Sequence, residues 1–339
     1  MPLNSTDILN AIRDNASTFY GERVPESTRN NLAQIGDAIT SDTNIMNEFI
    51  TSLVNKVALS NVKSKMFKNP LARLKKAGIP MGNTIEEIYI NPAIDVTYDN
   101  DQKKLLKTTK PDGKVAYYGL NRKSEYPVTV NELELRRAFT NEQEFMSMYN
   151  AIVVSLYSGD NIDEFLLMKG VLSKAVDSNA ITTVECDLSD PANVSKSISN
   201  LSKQFEFPNT EFSGYNLVNK NKIASGETKC VTFCPRDRQV LLLRADVETE
   251  INYEVLARMF HIDLVELKAM TILVDSFTAT KNVYAVLCDI DAIQVRDVVF
   301  KVTSQYISNT LEWNFWLHHW QHMYLSMFGN AVAFVEKSN

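Results

Sequence analysis

Apolar residues recur at helical spacing in the first eighty residues. From Ile45 to Val57 they follow at intervals of four, which predicts an amphipathic helix begun by Asp42 or Thr43. A shorter helix is predicted to start within Ser5–Asp7, and glycine and proline predict a loop from Tyr20 to Ser27. Because these helices carry few apolar residues, we expect them to lie against other elements rather than to form a core.

Between Ile85 and Tyr126 the pattern favours β-strands. Runs of β-branched and aromatic residues occur at 85–90, 105–109 and 115–118, and Lys110–Gly113 has the composition of a tight turn. These features predict a long hairpin with its tip near Asp112. Little apolar material lies on either face, and an isolated two-stranded hairpin is marginally stable in water. We therefore expect the hairpin to need an external surface, most naturally that of a neighbouring subunit.

Helical spacing returns after residue 139. Thr140 or Asn141 can cap a helix whose apolar stripe runs from residue 145 to 156, and Asp160 can cap a continuation to residue 176. Because Gly159 interrupts the pattern, the sequence leaves open whether this is one long helix or two.

A compact α/β unit is predicted from Asn193 to Asp291. From Val298 to Val335 the chain is strand-like with an aromatic core stretch, although Trp313, Trp316 and Trp320 would also fit one face of a helix. Within the α/β unit the predicted helices are 194–205 and 253–260, and the predicted strands are 230–234, 240–243, 271–274 and 283–288.

Composition limits the class of protein. A length of 339 residues suggests two or three packed units, and 45% hydrophobic with 22% charged residues excludes a disordered or collagen-like chain. A net charge of −6 argues against a protein whose whole surface binds nucleic acid or anionic membrane. Four cysteines without a recognisable pairing pattern indicate a reducing compartment, and no signal peptide is evident at the N-terminus.

The basic residues are concentrated. Lys56–Lys76 contains seven basic residues and no acidic one, and Asp99–Lys123 contains seven basic against three acidic residues. A solvated basic face is the usual cause of such a run, and contact with an acidic partner or a polyanion is the more specific interpretation.

The uncharged segment Trp313–Val335 is long enough to span a membrane. It carries three histidines and several amides, which are costly to bury in hydrocarbon, so a buried core segment is the favoured interpretation. His318 and His322 could share a zinc ion with Cys230 and Cys234, but their spacing favours packing residues instead. No dinucleotide, phosphate-loop or hydrolase motif occurs, and we predict no catalytic, cofactor or metal site.

Six stretches carry a family resemblance through their common order along the chain. They are Asn47–Val54, Asn69–Lys76, Ile79–Tyr89, Asp246–Phe260, Trp313–Gln321 and Gly329–Val335. No single stretch is a catalytic signature, and together they cover both ends and the middle of the chain. In this order they resemble the major capsid protein of small podophages of the Bacillus phage phi-29 kind.

The resemblance implies an α+β fold of the Hong Kong 97-like phage major capsid type. Residues 1–60 would form a mostly helical N-terminal arm, 82–127 an extended β-hairpin loop over an adjacent subunit, and 194–292 an axial domain. Residues 61–81, 128–193 and 293–339 would form the peripheral domain with its spine helix.

The same resemblance implies a structural protein of the virion and not an enzyme. It would assemble in the host bacterial cytoplasm as hexamers and pentamers, forming an icosahedral or prolate head around double-stranded DNA. Expected partners are further copies of the chain, a scaffolding protein, a portal or connector, and packaged DNA bound without sequence specificity, with no cofactor and no membrane. Some relatives continue into an immunoglobulin-like domain, whose role we do not carry over to this sequence. The covalent cross-linking known for some relatives of the fold is not carried over either, because no residue here matches its lysine and asparagine by motif.

Charged residues supply a hypothesis for contacts between subunits. Arg73, Lys75 and Lys76 are expected to pair with acidic stretches such as Glu86–Glu87 or Asp246–Glu250, and their replacement by glutamate should block assembly without unfolding the monomer. A role on the inner surface, facing DNA phosphates, is the rival for the same basic residues. The remaining candidates are Lys103, Lys104 and Asp112.

Three alternatives stay open from the sequence. A bacterial nanocompartment shell of the encapsulin type uses the same fold and would enclose cargo protein instead of a genome. An α/β enzyme and a phage tail or collar protein are the others.

Overall fold

The chain contains two compact units. The computed structural model describes residues 5–28, 30–53, 67–78, 82, 84–95, 108, 110–187, 191–250 and 271–337. Unit 1 comprises Met1–Asn69, Arg122–Phe165 and Asp297–Gln321, and unit 2 comprises Pro70–Asn121, Leu166–Arg296 and His322–Asn339.

Helices and strands alternate in blocks along the described residues. The helices are α1 (Ser5–Asn15), α2 (Thr18–Arg23), α3 (Leu32–Thr40), α4 (Thr43–Ser52), α5 (Glu132–Ala138), α6 (Glu142–Asp177), α7 (Pro191–Phe205), α8 (Gly214–Val218), α9 (Lys220–Ala224) and α10 (Ala245–Glu250), with short 3-10 helices at Pro70–Leu74 and Arg236–Arg238. The strands are β1 (Thr84–Ile90), β2 (Gly113–Gly119), β3 (Arg122–Asn131), β4 (Thr182–Cys186), β5 (Gln239–Arg244), β6 (Thr271–Val274), β7 (Val283–Asp289), β8 (Ile293–Ile307), β9 (Glu312–Leu325) and β10 (Ala331–Glu336).

The N-terminal helices contribute directly to the core of unit 1. Ile12, Ile39 and Phe49 are fully buried in the same apolar cluster as Phe315 of β9. The helices thus lie against other elements, as expected, but they also supply part of the core, so the expectation that they would not form one was wrong. The predicted cap is confirmed, since the Asp42 side chain accepts a hydrogen bond from the backbone N–H of Asn44 at 2.8 Å.

The predicted loop from Tyr20 to Ser27 begins later than expected. Helix α2 runs through Arg23, and the hydroxyl of Ser17 accepts from the backbone N–H of Tyr20 at its start. Gly21 lies inside this helix, where nothing lies within 4 Å of an added Cβ, so glycine there does not signal a turn.

The question of one helix or two is settled by α6. This helix continues without a break for 36 residues, passing through Gly159 and Asp160. At its start the Asn141 side chain accepts a hydrogen bond from the backbone N–H of Glu144 at 2.8 Å, as the cap prediction required. Asp160 does not cap a helix, because it lies in the interior of α6, where its carboxylate pairs with Arg122.

Strand β9 runs through the middle of a three-stranded sheet with order β3-β9-β8. Strands β3 and β9 are antiparallel, with a register from Arg122↔Gln321 to Asn131↔Glu312. The aromatic segment is therefore a strand and not a helix, and Trp313, Phe315 and Leu317 are buried on one face of it. Among the described helices, none has the length and apolar character needed to cross a bilayer.

Unit 2 is built around a five-stranded mixed sheet with order β4-β10-β7-β5-β6. Strand β10 is parallel to β4 and antiparallel to β7. The predicted strands at 240–243, 271–274 and 283–288 and the predicted helix at 194–205 are confirmed as β5, β6, β7 and α7. The predicted helix at 253–260 lies outside the described residues.

The predicted strand from Cys230 to Cys234 was wrong. It contributes only an isolated bridge between Thr232 and Asn209. The side chain of Asn216 replaces a partner strand at Cys230, donating to its carbonyl oxygen at 2.7 Å and accepting from its N–H at 2.9 Å. The backbone is thus satisfied without a continuous ladder.

Strands β1 and β2 form a two-stranded antiparallel hairpin. Their register runs from Thr84↔Gly119 to Ile90↔Gly113, and the N–H of Asn91 donates to the carbonyl oxygen of Asp112 at 2.9 Å. Asp112 therefore lies at the base of the connection and not at the tip, so the predicted tip was wrong. Most of the predicted strand at 105–109 lies outside the described residues.

Candidate intersubunit surface

The inner face of the β1–β2 hairpin packs on its own chain within unit 2. The ring of Tyr89 stacks on Phe328 with centroids 5.4 Å apart, and the ring of Tyr118 stacks on Tyr324 at 3.8 Å. The Tyr89 hydroxyl also donates to the carbonyl oxygen of Val231 at 2.5 Å. The expectation that the hairpin has no support without a neighbour was therefore wrong for this face.

The outer face of the same hairpin is apolar and exposed. Alternation along the strands places Ile88 opposite Val115 and Glu86 opposite Tyr117 on this face. Ile88, Ile90 and Tyr117 are 62%, 61% and 67% exposed. A group of large apolar side chains left in solvent is typical of an interaction surface.

Hydrogen bonds and ion pairs stabilise the hairpin where its strands meet the connection between them. The Asp112 carboxylate accepts from Asn91 and Thr228, and these hydrogen bonds lower its pKa to about 2. Lys114, whose side chain is buried, lies 3.1 Å from Asp112 and 3.2 Å from Glu227. Asp112 thus acts within its own subunit, and the hairpin is held in place before any partner binds.

The basic candidates also have partners in their own unit. Arg73 donates to the backbone oxygen of Thr271 at 2.9 Å, and Lys76 lies 2.5 Å from Asp291. Lys75 is half-buried beside them. Replacing all three by glutamate would disturb these intrachain contacts, so that triple variant does not isolate an effect on assembly.

The acidic candidates lie mainly on the hairpin. Glu86 accepts from the exposed Tyr117 hydroxyl at 3.1 Å, and Glu87 accepts from Ser326 at 2.8 Å on the inner face. Glu87 and Lys76 also line one cavity of about 530 Å³. At the other proposed acidic stretch, Asp246 pairs with Arg244 at 2.5 Å, while Lys103 and Lys104 lie outside the described residues.

The cysteines and histidines considered for a zinc site lie in different local environments. Burial raises the pKa of the Cys230 thiol to about 11 and that of Cys288 to about 12, so both remain protonated packing residues. The His318 ring lies 2.8 Å from the Thr303 hydroxyl, whereas His322 faces the carbonyl oxygen of Gly82 at 3.4 Å.

A buried polar network in unit 1 was missed by the sequence analysis. Asp160 lies 2.6 Å from the Arg122 guanidinium and 2.7 Å from the His319 ring. The Gln321 amide donates to Glu164 and Asp297, at 2.6 Å each. Ligand-type atoms of Glu164, Asp297 and His319 lie within 4.8 Å of one another. Because hydrogen bonds already join these groups, we interpret the set as an ionic network and assign no metal to it.

The outer hairpin residues had no clear signal in the sequence. Ile85–Ile90 reads Ile-Glu-Glu-Ile-Tyr-Ile, so each face of the strand carries one glutamate and two apolar or aromatic residues, and the pattern does not show which face is exposed. The buried network had no local signal either, because its members are scattered along the chain from Arg122 to Gln321.

Comparisons with known proteins give one consistent result. The family model for the Phi29-like phage major capsid protein matches residues 9–335. The major capsid protein of Bacillus phage B103 is 30% identical over 338 residues, covering 98% of this chain and 73% of that protein. The major capsid protein of Streptococcus phage Cp-1 is 26% identical and covers 97% of this chain and 93% of that protein.

Solved structures confirm the fold. A chain in the capsid of Staphylococcus phage Andhra has a TM-score of 0.65 at 12% identity, covering 80% of this chain and 85% of that chain. A chain in the structure of the head fibre and inner core protein gp22 of bacteriophage P68 has a TM-score of 0.61 at 13% identity, with 80% and 86% covered. The α+β, Hong Kong 97-like fold implied by the sequence resemblance is thereby confirmed.

Proposed function

Because this chain belongs to the Phi29-like phage major capsid protein family, we propose that one copy contacts the next through the outer face of its β1–β2 hairpin. The protein is a structural component of the phage capsid, and the family confirms the prediction that it is not an enzyme. The family and the named relatives do not favour the nanocompartment alternative.

The proposal is carried by the contrast between the two faces of the hairpin. The inner face is anchored by aromatic stacking, while Ile88, Val115 and Tyr117 face solvent. Covering a large apolar side chain contributes about 1.5–3 kcal/mol, so a few such residues can form the centre of an interface. Within the described part of the chain, β1 and β2 form a sheet only with each other, so each strand is also a sheet edge that could pair with another chain.

Replacing Ile88 by glutamate tests this surface. Because Ile88 is exposed in the single chain, Ile88→Glu should leave the thermal unfolding midpoint unchanged but lower the yield of closed shells at least tenfold. The variant is co-expressed with the neighbouring genes and analysed by negative-stain microscopy and light scattering.

A matched control is Phe207→Glu, since Phe207 is 67% exposed and lies in unit 2 but outside the hairpin. Shells should form normally in this variant. Normal shells from Ile88→Glu would refute the proposed surface, whereas loss of shells in both variants would mean that any new surface charge blocks assembly.

We propose the finer organisation from the family resemblance. Hexamers and pentamers would close into an icosahedral or prolate head, aided by a scaffolding protein and joined to a portal, with double-stranded DNA inside. The arm at 1–60, the extended loop at 82–127, the axial domain at 194–292 and the peripheral domain formed by the remaining segments belong to the same proposal. The basic run 56–76 would contact either an acidic surface of another subunit or the DNA phosphates.

A further inference from the structure

His319 occupies a buried position that fixes its chemical form. It lies on β9, the central strand of the three-stranded sheet, and is 2% exposed. Its Nδ1 lies 2.7 Å from Asp160 Oδ1 and its Nε2 lies 3.1 Å from Asp297 Oδ1. An ionised carboxylate can only accept a hydrogen bond, so with both carboxylates ionised each ring nitrogen would donate. The two contacts therefore favour the doubly protonated imidazolium.

Polar, charged and aromatic side chains from β3, α6 and β8 surround the His319 ring and affect its protonation. From β3, Arg122 pairs with Asp160, and its guanidinium also lies 3.5 Å from His319 Nδ1, where its positive charge lowers the pKa of the ring. The Tyr126 hydroxyl lies between Arg122 and Asp163. From α6, Asp160 contacts the ring directly, and Glu164 accepts from the Gln321 amide of β9. From β8 come Asp297 and the ring of Phe300, which stands edge-on to His319 at 4.8 Å.

The charged side chains around His319 favour a protonated, positively charged ring. Asp160, Glu164 and Asp297 carry three negative charges when ionised, and Arg122 supplies one positive charge. A protonated His319 reduces the imbalance, and in a buried site an uncompensated charge is costly. A neutral ring would also place a nitrogen lone pair against a carboxylate oxygen.

We propose that His319 is a pH-sensitive junction whose charged form ties β8, β9 and α6 together within unit 1. Loss of its second proton removes one of the two hydrogen bonds and leaves the carboxylates without a cation between them. The junction is a property of the folded chain itself, and it rests on neither the hairpin surface nor shell assembly.

The direction of the pH dependence follows from the same contacts. Burial lowers the pKa of His319, but the hydrogen bonds to Asp160 and Asp297 raise it more, and the net result is a pKa above the usual value of about 6.5. A raised folded pKa means that the stabilisation is complete below about pH 6.5 and is lost as the pH rises through the folded value. Unit 1 should therefore weaken toward alkaline pH.

The chain carries a built-in reporter of this junction. All three tryptophans, Trp313, Trp316 and Trp320, lie on β9, the strand that carries His319. Thermal unfolding of the full chain followed by tryptophan fluorescence therefore reports on the strand that His319 holds.

The test compares the wild type with His319→Gln between pH 5.5 and pH 9. Glutamine keeps a donor but does not titrate, so the wild-type midpoint should exceed that of the variant by several degrees at pH 5.5 and by less than half as much at pH 9. His318→Gln is the matched control, since His318 adjoins on the same strand but is bonded to Thr303, and its curve should follow the wild type. A midpoint difference that stays constant with pH would assign His319 a packing role only and overturn the proposal.

A second measurement does not depend on a variant that folds. In the chain labelled with 15N-histidine, the nitrogen spectrum at pH 7 should show one ring with both nitrogens protonated, and His318→Gln should retain it. A neutral ring for all four histidines would overturn the proposal. So would a zinc-dependent rise in the wild-type midpoint that is absent in His319→Gln, because an ion would then occupy the Nε2 position.

Discussion

Two glycines in unit 2 show how differently the same residue can be constrained. A Cβ added to Gly329 would lie 2.6 Å from the Cβ and 2.9 Å from the Cα of Ala292, in the turn after β7. At Gly170, inside α6, nothing lies within 4 Å of an added Cβ. Gly329 is needed because two backbone segments approach closely there. At Gly170 the helix has room for a side chain.

Opposite stability changes should follow when each glycine becomes alanine. Gly329→Ala should lower the free energy of unfolding by about 1–3 kcal/mol, since the turn at Ala292 must shift to make room. Gly170→Ala should raise it by about 0.5–1 kcal/mol, because alanine loses less conformational entropy in a helix. Urea denaturation followed by circular dichroism measures both, and equal effects of the two changes would refute this account of Gly329.

At the scale of elements, the C-terminal part of α6 fixes the segment that follows β6. Lys169, Ser173 and Asp177 lie at intervals of four on one side of the helix. The Lys169 ammonium, 1% exposed as a residue, lies 2.5 Å from Asp275. The other two side chains accept hydrogen bonds from the backbone N–H groups of Thr278 and Thr280, at 3.0 Å and 2.8 Å. Three side chains of the helix thus hold in place a segment that has no regular secondary structure.

The ion pair between Lys169 and Asp275 should contribute to the stability of unit 2. Asp275→Asn should destabilise unit 2 by about 1–3 kcal/mol, because the buried Lys169 ammonium loses its ion pair with Asp275. Lys169→Met in the same chain should recover most of the loss, since it removes the charge and keeps the packed stem. Thermal unfolding of the single and double variants forms a double-mutant cycle, and strictly additive effects would contradict the coupling.

Elements whose structure depends on their own residues could be predicted from the sequence, and elements that depend on distant residues could not. Helix α7 was predicted from its helical spacing of apolar residues, and β5, β6 and β7 were predicted from short apolar runs. Strands β5 and β7 are buried on both faces, which is why these runs are continuous. The hairpin register was not predicted, since it is set by Tyr89 and Tyr118 packing on the distant Phe328 and Tyr324. The strand at Cys230 failed because an asparagine side chain took the place of a partner strand.

At the scale of the whole molecule, each unit has its own apolar interior. Phe315 is fully buried in the cluster of unit 1 and Phe334 in that of unit 2. The three tryptophans belong to unit 1, so fluorescence follows that unit while circular dichroism follows both. The family resemblance predicted the architecture but not this arrangement of cores, which depends on contacts between segments far apart in sequence.

Truncating one phenylalanine in each interior should separate the two signals. Phe315→Ala should lower the fluorescence-detected midpoint, and Phe334→Ala should lower mainly the midpoint seen by circular dichroism, each through a loss of about 3–5 kcal/mol. Equal shifts of both signals in both variants would mean that the units unfold as one cooperative body.

Strand β10 has a consequence for how the molecule is made. It lies between β4 and β7, and every other strand of its sheet precedes it in the chain. A ribosome adding about 5–20 residues per second needs roughly 2–8 s to pass from the end of β7 to the start of β10. During that interval the edges of β4 and β7 that face β10 in the finished sheet lack their final partner. Synthesis of residues 331–336 joins the two parts of the sheet, so the five-stranded sheet of unit 2 cannot be completed by a shorter nascent chain.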